Sequence, residues 1–161
     1  MYQDKINKIL NSIDDVIEIA KATATVEIYA YQKDRIFNKG EDKNETQIGT
    51  YSDTLLPAFF FNRSNNKKGK VEPKDYPNGL SYKTFRNLNG LQSAFVDLKF
   101  SGNLQQSITY TKDTIYFKNE YGKKVSGYNE VHFKKRIYAP SQPEKEIYFD
   151  ILETELNKLW K

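Results

Sequence analysis

The sequence predicts an α+β fold in a single domain, residues 1–161, and three observations carry that expectation. Apolar residues recur with helical spacing near the N-terminus, at Ile6, Ile9, Leu10, Ile13, Val16, Ile17 and Ala20. Two β-rich runs, Ser107–Thr111 and Thr114–Lys118, are separated only by Lys112-Asp113 and read as a hairpin. A second amphipathic helix follows a capping signal at Ser141. The expected order is an N-terminal helix, a long irregular middle arm over residues 38–79, an antiparallel sheet with a hairpin, and a C-terminal helix packed on that sheet.

The first helix is expected over residues 3 to about 30, with Asp4, Lys5, Lys8, Asp14, Asp15 and Lys21 facing away from the apolar stripe. Thr23, Thr25 and Val26 lower helix propensity towards its end, although Ile28 and Tyr31 continue the stripe. From Asn38 to about Leu91 periodicity is lost and Gly, Pro, Asn and Lys dominate. A loop of that length in a compact domain is usually functional or partly disordered when free. Within it, Leu55-Leu56-Pro57-Ala58-Phe59-Phe60-Phe61 demands burial, either in the domain's own core or against a neighbouring subunit. Tyr82, Phe85 and Leu88 permit a short helix, stopped at Asn89-Gly90.

Val96, Leu98 and Phe100 alternate with Asp97 and Lys99, which predicts a strand ending at the Ser101-Gly102 turn. After the hairpin, Asn119-Glu120-Tyr121-Gly122 reads as a break, and Tyr128 to about Ile137 as a further strand. In Ser141-Gln142-Pro143-Glu144, serine suits the N-cap, proline the first turn and glutamate N3. Ile147, Ile151, Leu152, Leu156, Leu159 and Trp160 supply the apolar stripe of the final helix.

Composition excludes several chemistries. No cysteine is present, which removes disulfides, thiolate metal sites and cysteine nucleophiles. A net charge of +4, spread over the chain, does not mark a nucleic-acid binder. The basic patches Lys67-Lys68-Gly69-Lys70 and Lys134-Lys135-Arg136 suit solvated loops or edges, and Gly69-Lys70 lacks any phosphate-loop context. No basic segment leads into an apolar run at the N-terminus, and no stretch is long enough to span a bilayer. A cytosol-like compartment is therefore expected, with no membrane partner. Tyrosine and phenylalanine together number 22, a density suited to sheet faces and subunit interfaces.

No catalytic set, metal site or cofactor site is expected. His132, the single histidine, has no partner to nominate. Asp42-Lys43-Asn44-Glu45-Thr46 spaces oxygen groups like the start of a calcium loop but lacks its glycine and closing glutamate. The enzymatic alternative uses Asp97 and Lys99, which share a face if they lie on a strand. Metal-dependent nucleases use such a pair to bind magnesium and align water, with Asp53 or Asp75 as a second carboxylate here. A solvent-facing charge pair on a strand gives the same pattern.

A family resemblance joins several of these segments. The run Leu98-x-Phe100-Ser101-Gly102-Asn103-Leu104-x-x-Ser107-Ile108 resembles the L-x-x-T-G-x-L-x-x-S-I segment of phage virion morphogenesis and tail-completion proteins. Arg35-Ile36-Phe37-Asn38-Lys39-Gly40-Glu41-Asp42, ahead of Ile48-Gly49-Thr50-Tyr51, resembles their R-I-F-x-x-G-x-D … I-G-x-Y segment. Arg136-Ile137-Tyr138-Ala139-Pro140-Ser141 stands where that family has a proline-flanked R-x-F motif. The chain departs from the pattern in its longer Lys- and Asn-rich middle and in having no H-x-x-G after the hairpin.

The resemblance implies a virion structural protein, a head–tail adaptor or tail-completion component that forms homo-oligomeric rings. Its partners would be its own copies and other neck, tail or connector proteins, with DNA only as passing cargo. Its place would be the neck or tail of the virion, reached from the host cytoplasm during assembly. Subunit contacts are expected at Leu55, Leu56, Phe59, Phe60, Phe61, Lys67, Lys68 and Lys70. The nuclease and a soluble binding module are the alternative readings.

Overall fold

The computed structural model describes residues 2–61, 71 and 73–158. The class is α+β, with long helices framing two small antiparallel strand pairs. The first helix, α1, spans Tyr2–Asp34 and passes into a single wide turn, Arg35–Lys39. Gly40 ends that turn at φ 70°, where a Cβ would meet the Val96 carbonyl oxygen at 2.6 Å. Only glycine fits both the left-handed backbone and the close approach.

The middle segment contributes β1 (Leu55–Leu56), a short helical turn at Ala58–Phe61 and β2 (Leu80–Ser81). β1 and β2 pair antiparallel, Leu55 opposite Ser81. Helix α2, Tyr82–Leu88, starts at Ser81, whose side chain accepts from the Thr84 amide, and stops at Asn89-Gly90 as its sequence predicts. A one-and-a-half-turn helix α3, Asn103–Ser107, leads into the hairpin of β3 (Ile108–Tyr110) and β4 (Ile115–Phe117). The hairpin has the predicted pairing, Ile108 opposite Phe117. Helix α4 spans Glu120–Phe133 and helix α5 spans Gln142–Asn157.

Three expectations need correction. Val96 to Phe100 is not a strand: Leu98 sits at φ 53°, and Asp97 is buried beside Val96 instead of facing away from it. The 119–137 region is mostly helix, not a break followed by a strand. Asn119 caps α4 by accepting from the Gly122 amide, and the buried face runs through Gly122, Ser126 and Asn129. The helical period is present there, but small and polar residues carry it. The C-terminal helix finds its main partner in α1, not in the sheet. Two three-residue strands offer too little surface to seat a 16-residue helix. Leu159 and Trp160, expected on its stripe, lie outside the described residues.

Two apolar clusters hold the chain together. The larger gathers Ile36, Phe37, Ile48, Val96, Leu104, Ile108 and Ile137, with Tyr29, Phe117 and Tyr138 packed against it. The smaller gathers Ala58, Phe61, Val71, Leu80 and Phe85. The middle segment, β2 and α2 thus share a core, which takes Ala58 and Phe61 of the apolar run and so realises the first of the two placements expected for it.

Arg35 is the polar centre of the fold. It is fully buried, and its Nε donates to Glu144 Oε1 at 2.8 Å. Its Nη1 donates to the carbonyls of Glu41 and Ile137, and its Nη2 to that of Ala139. Glu144 Oε2 accepts in turn from the Ser141 amide, completing the predicted capping box. Removing one partner of a fully buried pair leaves an uncompensated charge, which costs about 3–5 kcal/mol. Arg35→Ala and Glu144→Ala should each lower stability by about that amount in urea unfolding, and the double variant by less than the sum.

Asp42 organises the turn after Gly40. Its Oδ1 accepts from the amides of Asn44 and Thr46 and from the Thr46 hydroxyl, and Lys135 Nζ lies 3.4 Å from Oδ2. This is an Asx-type turn rather than a calcium loop. Burial opposes ionisation of Asp42, but these hydrogen bonds and the Lys135 charge outweigh it and hold its carboxyl below the ordinary carboxylate value. A depressed folded-state pKa contributes stability that is present above the unfolded value, near about 3.9, and lost as pH falls through the folded one. In urea unfolding followed down to acid pH, the wild type should therefore lose more stability below about pH 4 than Asp42→Asn does.

Candidate functional site

A groove of about 750 Å³ runs between the middle segment and α4. Leu56, Phe61, Tyr82 and Phe100 form one wall, and Tyr121, Val125, Tyr128, His132 and Phe133 the other. Tyr51, Arg86 and Val96 also line it. Most of the lining is aromatic or aliphatic, the composition of a surface that binds by apolar contact.

Its polar elements are mutually satisfied. Arg86, 1% exposed, donates from Nη2 to Asp97 Oδ1 at 2.9 Å, from Nε to the Gln92 carbonyl, and from Nη1 to the Lys99 carbonyl. Its guanidinium lies 4.1 Å from the centre of the Tyr51 ring, a cation–π contact. The Tyr51 hydroxyl donates to Asp97 Oδ1 at 2.7 Å. Burial and that carboxylate together push the Tyr51 phenol well above its ordinary value. The Lys99 amide donates to the same oxygen, and the Lys99 ammonium reaches Asn38 Oδ1 at 2.6 Å.

The nuclease alternative required Asp97 and Lys99 to share a strand face. The left-handed turn at Leu98 removes that face, and Asp97 spends its charge on Arg86. Asp53, a possible second carboxylate, is exposed and pairs with Lys83. Among the described residues no three metal-binding side chains cluster. His132 stacks on Tyr128 at 5.6 Å and meets the Phe133 ring edge-on. The Asp97 site is thus built as a structural strut, which sets its expected behaviour. Asp97→Ala should destabilise the fold by about 3–5 kcal/mol in urea, because Arg86 is left buried and unpaired. DNA incubated with magnesium and the wild-type protein should stay intact; cleavage lost in both Asp97→Ala and Lys99→Ala would restore the nuclease reading.

Beside the groove stands the run expected to make subunit contacts, and the structure divides it. Phe61 is 6% exposed and packs on Phe85 with ring centres 4.9 Å apart, so it belongs to the domain's own core. Phe59 and Phe60 stack on each other at 4.4 Å and are 52% and 54% exposed. Leu55 and Leu56 are exposed on β1. Lys67, Lys68 and Lys70 lie outside the described residues. The α4 wall was not foreseen, because Tyr121 and Tyr128 were read as part of a break and a strand. A sequence signal did exist: Tyr121, Val125, Tyr128 and His132 recur at helical spacing.

No protein-family model matches the chain, and no curated protein or solved structure matches it either. Among the described residues, no helix is long and apolar enough to cross a membrane.

Proposed function

We propose that this chain is a bacteriophage virion structural protein, a ring-forming head–tail adaptor or tail-completion component that acts by oligomeric assembly. The observation that carries the reading is the exposed cluster of Leu55, Leu56, Phe59 and Phe60, anchored from beneath by buried Phe61. Four large apolar side chains held outward on an ordered support suit burial against a partner. The segments that resemble phage morphogenesis proteins support the same reading. Arg35, Ile36, Phe37, Ile48, Leu104, Ile108 and Ile137 come from separate stretches and meet in one core. The partners are further copies of the chain and other neck, tail or connector proteins, the location is the neck or tail of the virion, and DNA is only passing cargo.

Phe60→Asp tests the reading, because Phe60 makes its contact with Phe59 on the surface and not in the core. Its stability in urea should stay within about 1 kcal/mol of wild type, while assembly, followed by light scattering and electron microscopy, should be lost. Phe61→Ala should show the opposite, a loss of about 3–5 kcal/mol from an emptied core site. Wild-type assembly by Phe60→Asp would remove this surface from the interface.

A further inference from the structure

Helix α4 carries two glycines, and the chain's own packing explains only one of them. A Cβ at Gly122 would lie 2.4 Å from Ser107 Oγ, so the close approach to the end of α3 demands glycine there. A Cβ at Gly127 would meet nothing within 4 Å, and its backbone is ordinary helix. Glycine in a helix interior lowers the folding constant by about fivefold relative to alanine. Gly127 stands mid-way along α4, at the centre of its outward face. Its neighbours on that face, Glu120, Lys123, Lys124, Val131 and Lys134, are all exposed, Val131 by 78%. At Gly127 the helix backbone itself can be approached from outside.

The charges on that face select what approaches it. The residues equally far before and after Gly127 are Lys124 and Glu130, Lys123 and Val131, and Glu120 and Lys134. A second α4 laid antiparallel across the first at Gly127 therefore sets Glu120 against Lys134 and Lys124 against Glu130, each twice. It also rests Val131 on the aliphatic stem of Lys123. A parallel copy would set lysine against lysine at 123 and 124. Among the described residues, Lys124 and Lys134 have no carboxylate partner, and Glu120 has only the exposed Lys123 of its own helix. Glu130 uses Oε1 on the amides of Ile137 and Tyr138 and leaves Oε2 unpaired among those residues. We propose that two copies of the chain pair through α4, antiparallel, with the two-fold axis at Gly127 and the two backbones in close approach there. The contact goes beyond the assembly reading, since it uses a surface separate from Leu55, Leu56, Phe59 and Phe60.

Light scattering after size exclusion tests the contact in the Phe60→Asp chain, which lacks the ring contact and should stop at the dimer. If that chain is monomeric, the phenylalanine cluster alone carries self-association and the α4 contact falls. If the wild type itself never grows beyond the dimer, the α4 contact stands and the ring reading falls. Three changes in the Phe60→Asp background then probe the crossing. Gly127→Ala improves the helix but fills the point of approach, so the folding constant should rise about fivefold while the dimer is lost. Undiminished dimerisation would remove the close approach. Glu120→Lys and Lys134→Glu should each weaken the dimer, and the two in one chain should restore it, because the exchanged charges again face each other. A double variant as weak as the single ones overturns the antiparallel register. The chain lacks cysteine, so one introduced thiol reports the axis. Gly127→Cys chains should oxidise to a disulfide-linked dimer much faster than Val26→Cys chains, whose thiol would sit on an exposed part of α1. Equal rates would overturn the contact.

Discussion

A fully buried arginine needs a partner for each guanidinium nitrogen, and Arg35 finds them in the turn just after it and in two stretches about a hundred positions away. Its guanidinium takes the Glu144 carboxylate from the start of α5, the Glu41 carbonyl from the turn after α1, and two carbonyls from the 137–139 segment. Desolvating a charge is costly unless every lone pair and proton is matched, so the arrangement tolerates little displacement. The consequence is geometric. The end of α1, the start of α5 and the connection from α4 are fixed together, and the larger apolar cluster fills in around them. Glu130 reinforces the same junction from α4 by accepting from the amides of Ile137 and Tyr138.

A second buried ion pair plays the corresponding part for the smaller cluster. Arg86 on α2 joins Asp97, Tyr51 and the carbonyls of Gln92 and Lys99, and so binds the middle segment to the stretch before α3. Both pairs lie inside while large apolar side chains stay outside, at Ile6, Ile9, Leu55, Phe59, Phe60 and Tyr128. Contiguous exposure of large apolar side chains is the feature on which the proposed contact rests. Asp97 and Glu144 are both buried, each in an ion pair with an arginine.

Legibility of the sequence depended on which residues carried each period. Helix α1 and the Ser141–Glu144 capping box were readable because apolar spacing and cap chemistry are local. The hairpin and the Asn89-Gly90 stop were readable for the same reason. Helix α4 was not, since its buried face is Gly122, Ser126 and Asn129, which a hydrophobicity pattern does not register. The alternation at Val96–Phe100 misled in the opposite sense. Asp97 reads as outward-facing, yet it is buried because Arg86 on α2, eleven positions earlier, supplies its counter-charge. Of the candidate contact residues, the phenylalanine run was evident, but its division into a core Phe61 and an exposed pair was not.

The sequence by itself determined the α+β class, the two framing helices, the hairpin register and the absence of any thiol chemistry. These follow from interactions spanning a few residues, whose energies do not depend on what the rest of the chain is doing. Tertiary structure alone decided that α5 would lie on α1, that Arg35 would find Glu144 more than a hundred positions away, and which phenylalanines would face water. Burial is a property of the folded whole. A phenylalanine has the same transfer preference at positions 60 and 61, and only the arrival of Phe85 beside one of them tells the two apart.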